Sequence, residues 1–327
     1  MTSLLPDFNL RRSGVVCLLG LAVAGSAVAQ TFPIKPIRIV VPFTPGGPND
    51  ILARMAGQHL TATWGQQVVV DNRPGGGTVI GTDFVAKAPA DGHTVLMVAT
   101  AFASTPSLNA KLPYDTVRDF TPVIQMVSSP NVLVVHPSLP VKSVKELVAV
   151  AKARPGQIAF ASGGTGSLTH LAGELVRLSA GVPMTHIPYK GAAPATVALI
   201  GGEVSLMFGT ILPTLPHVKS GKLRAIAVSG AQRVDALPGV PTVGETLKDF
   251  DASSWYGLVA PAATPPEVVV KLNREIAAGL NVPEVRARLA QEGTVVVAGT
   301  PEQFGTLVKA EMAKWARVIR EVGIQQE

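Results

Sequence analysis

Apolar positions along the chain repeat one pattern, a short continuous run followed by a glycine-rich break and then a run at helical spacing. Ile37, Ile39, Val40 and Val41 form a β-branched stretch that predicts a buried strand. Pro42 to Pro48 stops it with three prolines and two glycines in seven residues. Ile51, Leu52, Met55 and Leu60 then follow at helical spacing, with Pro48 suited to the first helical position and Asp50 to the first turn. A second copy runs from the strand Gln67 to Val70 into DNRPGGGTVIG, Asp71 to Gly81, with a helix to Lys87 and a third strand at Thr94 to Ala99. Strands alternating with helices predict a parallel sheet flanked by helices. Thr100 to Pro113, rich in Ala, Ser, Thr and Pro, predicts a loop beyond a strand's carboxyl end, where open α/β sheets bind ligands.

From the strand Asn131 to Val135 the pattern starts over. A helix at Ser143 to Arg154 and a strand at Gln157 to Ser162 lead to Gly163-Gly164-Thr165-Gly166-Ser167, and a helix carries Leu168, Leu171, Ala172 and Leu175. The strand Met184 to Ile187, the turn Pro188 to Gly191, the helix Pro194 to Ile200 and strands at Val204 to Phe208 and Leu223 to Val228 follow. Ser253 to Ala260 is expected to return the chain to the first half as a second crossover. Helices at Pro266 to Leu280 and Pro301 to Val322 close the molecule, the last with a core stripe of Phe304, Leu307, Val308, Met312, Trp315, Val318 and Ile319.

The amino terminus changes the picture of where the protein acts. Arg11 and Arg12, the apolar Val15 to Val23 and Ala27-Val28-Ala29 read as a secretory signal cleaved after Ala29, too short to span a membrane. Cys17, the only cysteine, lies in that signal, so the exported chain is held by its core without disulfides. The formal charge of +6 comes without any basic cluster interleaved with aromatics, which argues against nucleic acid as a partner.

Strand-to-helix turns of this kind present backbone N–H groups, and with the helix dipole they attract anions. A plain connection that binds nothing is the alternative at each. Enzymatic signatures are mostly absent: there is no G-x-S-x-G elbow, no phosphate loop ending in G-K-[ST] and no H-E-x-x-H, and Gly75 to Ile80 and Gly164 to Thr169 begin like G-x-G-x-x-G but lack the last glycine. His170 and Glu174, four apart on a predicted helix, lack a third metal ligand at useful spacing, and Ser167 with His170 lacks an orienting carboxylate. Asp50 serves as an acid or base or caps its helix; Tyr189 and Lys190 offer a hydroxyl and a cation or a solvated turn; Trp255 and Tyr256 stack on a ligand or pack between lobes.

Several blocks in order resemble the periplasmic solute-binding receptors of the tripartite tricarboxylate transporters, the Bug family. They include KPIRIVVPFTPGGPNDILAR at Lys35 to Arg54, VVVDNRPGGGTVIG at Val68 to Gly81, PNVLVVHPSLPVKSVKELVA at Pro130 to Ala149 and ASGGTGSLTHLAGEL at Ala161 to Leu175. IPYKGAAPA, GKLRAIAVSGAQR and WYGLVAPAATPPEVV continue the likeness. The resemblance implies a two-lobed α/β fold of the type II periplasmic-binding-protein kind, each lobe a mainly parallel sheet flanked by helices, joined by two crossover strands. The lobes are expected at 30–130 with 252–327, and at 131–251.

It also implies a small organic carboxylate held between the lobes by backbone N–H groups, hydroxyls and waters. Carried onto this chain, the binding residues are Phe43, Thr44, Gly46, Gly47, Asp50, Gly77, Thr78, Thr100, Gly164, Thr165, Gly166, Ser167, His170, Tyr189 and Lys190. No cofactor, metal or catalytic residue is expected, and the partners expected are the ligand and a membrane permease, with the receptor itself a periplasmic monomer that does not insert in the membrane. A sensor ectodomain as partner, or an exported hydrolase or isomerase, are the rival readings. Thr78 stands where the family commonly has glycine, Thr105 where asparagine often precedes the proline, and Ser205 and Gly209 where aspartates are frequent.

Overall fold

The computed structural model describes residues 32–324 apart from Lys190. The predicted signal and Lys190 therefore lie outside the described residues. The first part of the chain gives β1 (Ile37–Val41), α1 (Pro48–Trp64), β2 (Val68–Asn72), α2 (Val79–Ala86), β3 (Thr94–Ala99), α3 (Ala101–Leu108) and β4 (Phe120–Ser129). The middle gives β5 (Asn131–Val135), α4 (Val144–Ala153), β6 (Ala159–Ser162), α5 (Leu168–Ala180), β7 (Thr185–Pro188), α6 (Ala192–Ile200), β8 (Leu206–Thr210), α7 (Ile211–Lys219) and β9 (Arg224–Val228). The chain ends with β10 (Ser254–Pro261), α8 (Pro266–Leu280), α9 (Pro283–Gln291), β11 (Val295–Val296) and α10 (Pro301–Val322).

Two parallel-rich sheets result, ordered β11-β4-β10-β3-β1-β2 and β7-β6-β8-β5-β9. Their parallel parts, β2-β1-β3 and β7-β6-β8, are the strand–turn–helix repeats read from the sequence. Antiparallel strands complete each sheet, because the chain passes from one to the other through them. Pro130 separates β4 in the first sheet from β5 in the second. The return segment is clipped to this crossing: Asn131 N–H donates to Ser229 Oγ at 2.8 Å, Ser229 N–H to Asn131 O at 2.8 Å, and Ser229 Oγ to Ala252 O at 3.0 Å. Two buried crossings fixed by hydrogen bonds leave each lobe as a body with its own sheet.

Helix α10 couples the lobes. Thr300 and Gln303 form its capping box, and Phe304, Val308, Trp315, Val318 and Ile319 face inward as the sequence stripe predicts. Burying side chains of that size contributes about 1.5–3 kcal/mol each. The helix packs on α3 and β4 of its own lobe and on α5 of the other, so one apolar cluster runs from Val40 and Leu96 through Trp315 to Phe160 and Leu206.

The structure differs from the sequence reading at several elements. The segment expected as a loop after Thr100 contains α3, whose Phe102 and Ala103 are buried while Thr105 Oγ1 donates to Ala101 O at 2.7 Å. Pro106 sits inside this helix. Strand β4, the proline-containing α7, α9 and the two-residue β11 are further elements that the sequence pattern does not mark.

Candidate functional site

The first turn is held from behind by a carboxylate. Gly47 caps α1 and Pro48 opens it, while Asp50, in its first turn, reaches back so that Oδ2 accepts Gly46 N–H at 2.9 Å and Arg54 Nε–H at 3.0 Å. Asp50 is buried. The Arg54 hydrogen bond, opposed by burial and joined by the Gly46 N–H, holds its carboxyl at about 2. Asp50 thus braces the turn before the helix, without occupying the cap itself. Phe43 and Gly47 are half-buried, and Thr44 and Gly46 are exposed.

Neighbouring segments close on this turn. Asn72 Nδ2 donates to Phe43 O at 3.2 Å. A Cβ on Gly81 would lie 2.9 Å from both Arg73 O and Pro42 Cβ, so α2 starts against the first turn. Gly77 and Thr78 belong to a 3-10 turn, Gly76–Thr78, which packs on α3. Thr78 has φ 86°, a left-handed conformation disfavoured for a β-branched residue and suited to glycine. Thr100 is buried, and its Oγ1 accepts the N–H of Trp255 at 3.2 Å, tying the site to the return strand β10.

The second-lobe turn follows the same plan with neutral braces. Gly163 N–H donates to Thr169 Oγ1 at 3.0 Å, Gly164 N–H to Ser162 Oγ at 3.1 Å and Gly166 N–H to His170 Nδ1 at 3.0 Å. Ser167 caps α5, accepting His170 N–H at 3.3 Å and donating to Gly164 O at 2.7 Å. The Ser167 hydroxyl proton and the His170 ring are thereby turned to different partners, an arrangement unlike a nucleophile and its base. Thr165 is the exposed residue of this turn. Tyr189 N–H donates to Ser162 O at 3.1 Å and Gly191 N–H to Gly163 O at 3.1 Å, which sets the Tyr189 turn beside the glycines.

A relay of contacts links these segments. The first turn meets Asn72 and Gly81, the Gly76–Thr78 turn meets α3, and α3 meets the second-lobe turn, since a Cβ on Gly166 would lie 3.3 Å from Leu108 Cδ1. Trp255 and Tyr256 both pack, Tyr256 against the core under the first sheet. Trp255 is core, edge-on to Phe304 at 5.5 Å with Nε1 donating to Glu311, whereas Tyr256 is half-buried. Two grooves lie elsewhere, one of about 350 Å³ lined by Phe102, Val117, Pro301 and Lys309 and one of about 620 Å³ lined by Lys35, Arg38, Arg73 and Phe84.

The braces themselves escaped the sequence reading. Arg54, Asn72, Ser162, Thr169 and His186 sit one or two steps behind the candidate residues. Only the spacing of Asp50 to Arg54 and of His170 to Glu174, each four apart on a helix, carried a signal. Glu174 is buried, with Oε1 3.6 Å from His170 Nε2 and Oε2 accepting Arg177 Nε–H at 2.5 Å. Of the departures from the family pattern, Gly209 is packed over by Thr214, whose Oγ1 would lie 2.6 Å from a Cβ there.

Comparison with known proteins places the site in context. Residues 52–324 match the family model described as "Tripartite tricarboxylate transporter family receptor". The protein BugT of Bordetella pertussis is 40% identical over 321 residues, spanning 96% of this chain and 98% of that protein. Among solved structures, R. palustris Rpa4515 with adipate aligns with a TM-score of 0.75 at 36% identity, covering 90% of this chain and 99% of that one. MatC (Rpa3494) from Rhodopseudomonas palustris with bound malate aligns with a TM-score of 0.71 at 31% identity, covering 88% and 100%.

Proposed function

The chain belongs to the tripartite tricarboxylate transporter receptor family, and from that premise we propose that it is a periplasmic receptor that captures a small organic carboxylate between its two lobes and delivers it to a membrane permease. The observation that carries this reading is the pair of strand, glycine turn and helix units, one per lobe, linked by contacts through α3. The acids held by two structural neighbours, adipate and malate, support the ligand class. Export with cleavage after Ala29 supplies the compartment, and the lobes run over 30–130 with 252–327 and over 131–251.

The chemistry is that of dipoles and not of a buried arginine. Arg54 and Arg177 are each committed to a carboxylate behind a turn, so the ligand's negative charge falls to backbone N–H groups, hydroxyls of Thr44 and Thr165, and the helix termini. Two or three charge-assisted hydrogen bonds at about 1.5–3 kcal/mol each supply most of the roughly 8 kcal/mol of micromolar binding. Closure follows as a population shift, because only the closed state brings both turns to one ligand.

A thermal-shift screen of residues 30–327 against mono-, di- and tricarboxylates and their neutral amides tests this. An acid at 100 times its dissociation constant adds about 2.7 kcal/mol of stability. Stabilisation by an acid and not by its amide is the expected result; stabilisation by amides alone would overturn the carboxylate reading.

A further inference from the structure

Two imidazoles lie face to face beneath the second-lobe turn. His170 on α5 and His186 on β7 stack with ring centroids 3.7 Å apart and planes 13° apart, and Phe160 lies 5.0 Å from His186. Sequence and register build this stack. The parallel pairing of β6 with β7 sets His186 beside Phe160, and Gly173, three residues after His170, leaves room for the Phe160 ring, which a Cβ would approach to 2.3 Å.

Both rings reach the turn's backbone. His170 Nδ1 accepts Gly166 N–H; an acceptor must be bare, so the ring proton sits on Nε2, the side facing Glu174. His186 Nε2 lies 2.6 Å from Ser162 Oγ, the same atom that takes Gly164 N–H. Two N–H groups of the turn thus depend on two imidazoles. A proton added to His170 Nδ1 turns its acceptor into a donor, breaks the Gly166 hydrogen bond and places a positive charge beside a freed N–H.

The charged groups facing the pair are few. Glu174 and Arg177 come from α5 itself. Burial raises the Glu174 carboxyl, but hydrogen bonds from His170 and Arg177 outweigh it and leave it lowered, so the anion persists beside His170. Strands β6 and β8 bring no ionisable side chain, and on α10, which packs against α5, Glu311 and Lys314 pair with each other.

On the reading that this turn receives a carboxylate, we infer that His186 is a positioning residue for its capture: stacked on His170 and held by Ser162, it keeps the His170–Gly166 latch closed, and the arriving acid opens the latch with uptake of a solvent proton at His170 Nδ1. The Gly166 N–H passes from the imidazole to a carboxylate oxygen, and the proton taken up balances one ligand charge. Burial, and then the charge of His170, bring His186 down from 6.5 to about 4. Like charges stacked this closely repel, so a proton on His170 keeps His186 neutral.

The test combines ligand-free NMR with calorimetry. In the ligand-free protein, the Gly166 amide signal should move with the His170 ring signals as pH falls, and His186→Gln, which keeps a partner for Ser162 but removes the ring, should shift the midpoint. With adipate or malate as probe, heats measured in buffers of different ionisation enthalpy should show proton uptake, and the dissociation constant should fall by up to about tenfold per pH unit on acidification. His170→Asn, whose Oδ1 accepts Gly166 N–H without titrating, should abolish both while the fold remains, as its melting curve would show. A Gly166 amide that ignores the His170 ring overturns the latch. So does binding without proton uptake, or uptake that survives in His170→Asn. Failure of every acid to bind would count against the carboxylate reading, while the ligand-free titration still decides the latch.

Discussion

The two glycine turns share a backbone plan and differ in what braces them. In the first lobe a buried carboxylate, Asp50, ties Gly46 N–H to Arg54, an ionic brace unchanged across ordinary pH. In the second, Ser162, Thr169 and His170 hold Gly163, Gly164 and Gly166 with hydroxyls and an imidazole, all neutral acceptors. The difference teaches that one plan for presenting N–H groups can be made rigid or responsive by the residue behind it. A carboxylate fixes its turn, and an imidazole makes its turn conditional on protons.

Substitutions behind the turns should separate them, and the largest effect is expected at the stack. Gly173→Ala puts a methyl against a fully buried Phe160 ring that has nowhere to go, at a cost of about 3 kcal/mol, high in the range for overpacking. Denaturant titration should show a lower midpoint at unchanged slope. Asp50→Ala strips the first turn of its brace and should cost about 2 kcal/mol by the same measurement. An Asp50→Ala protein as stable as the parent would mean that the first turn holds itself.

Smaller effects grade the turns' own backbone. Gly166→Ala forces a side chain into φ 76° and against Leu108, and Gly46→Ala meets only the strain of φ 85°, its Cβ position being open. About 2 kcal/mol is expected for the first and about 1 kcal/mol for the second, so equal losses would contradict the contact between α3 and the second-lobe turn. Thr78→Gly should be neutral or slightly stabilising, since it relieves a left-handed β-branched residue at φ 86° while loosening the unfolded chain.

The pH dependence of stability gives the subtlest contrast. A histidine lowered in the folded state binds its proton more readily when unfolded, so His186 contributes stability that is full above about 6.5 and falls away as pH drops toward about 4. Asp50 contributes stability that is full above its ordinary value near 3.8 and is lost only as pH falls toward about 2. Melting temperatures between pH 7 and pH 2 should flatten in the upper window for His186→Gln and in the lower one for Asp50→Asn. Exchanged windows would reverse the assignment of the braces.

Sequence pattern revealed the parallel strand–turn–helix units, because each combines an apolar run with a glycine break and a helical stripe, signals that local physics alone enforces. It missed α3, whose Ala, Ser, Thr and Pro composition is that of a loop, since that helix exists through burial of Phe102 against Phe120 and packing on α10. It missed β4, which merges in sequence with β5 across Pro130. The candidate turns were legible; their braces were not. Arg54 and Glu174 signalled only as four-residue helix pairs, while His186 gains its role from a parallel register with Phe160 and a ring stack on His170, partners 26 and 16 positions away. Contacts of that kind leave no local mark.

Hydrogen–deuterium exchange of the exported chain, with and without the acid that most stabilises it, tests most directly whether both turns receive one ligand. One ligand shared by both turns predicts that residues 42–50 and 163–170 slow together at a single ligand concentration, with the groove around Pro301 and Lys309 unchanged. Protection of one turn alone, or of that groove instead, would contradict it.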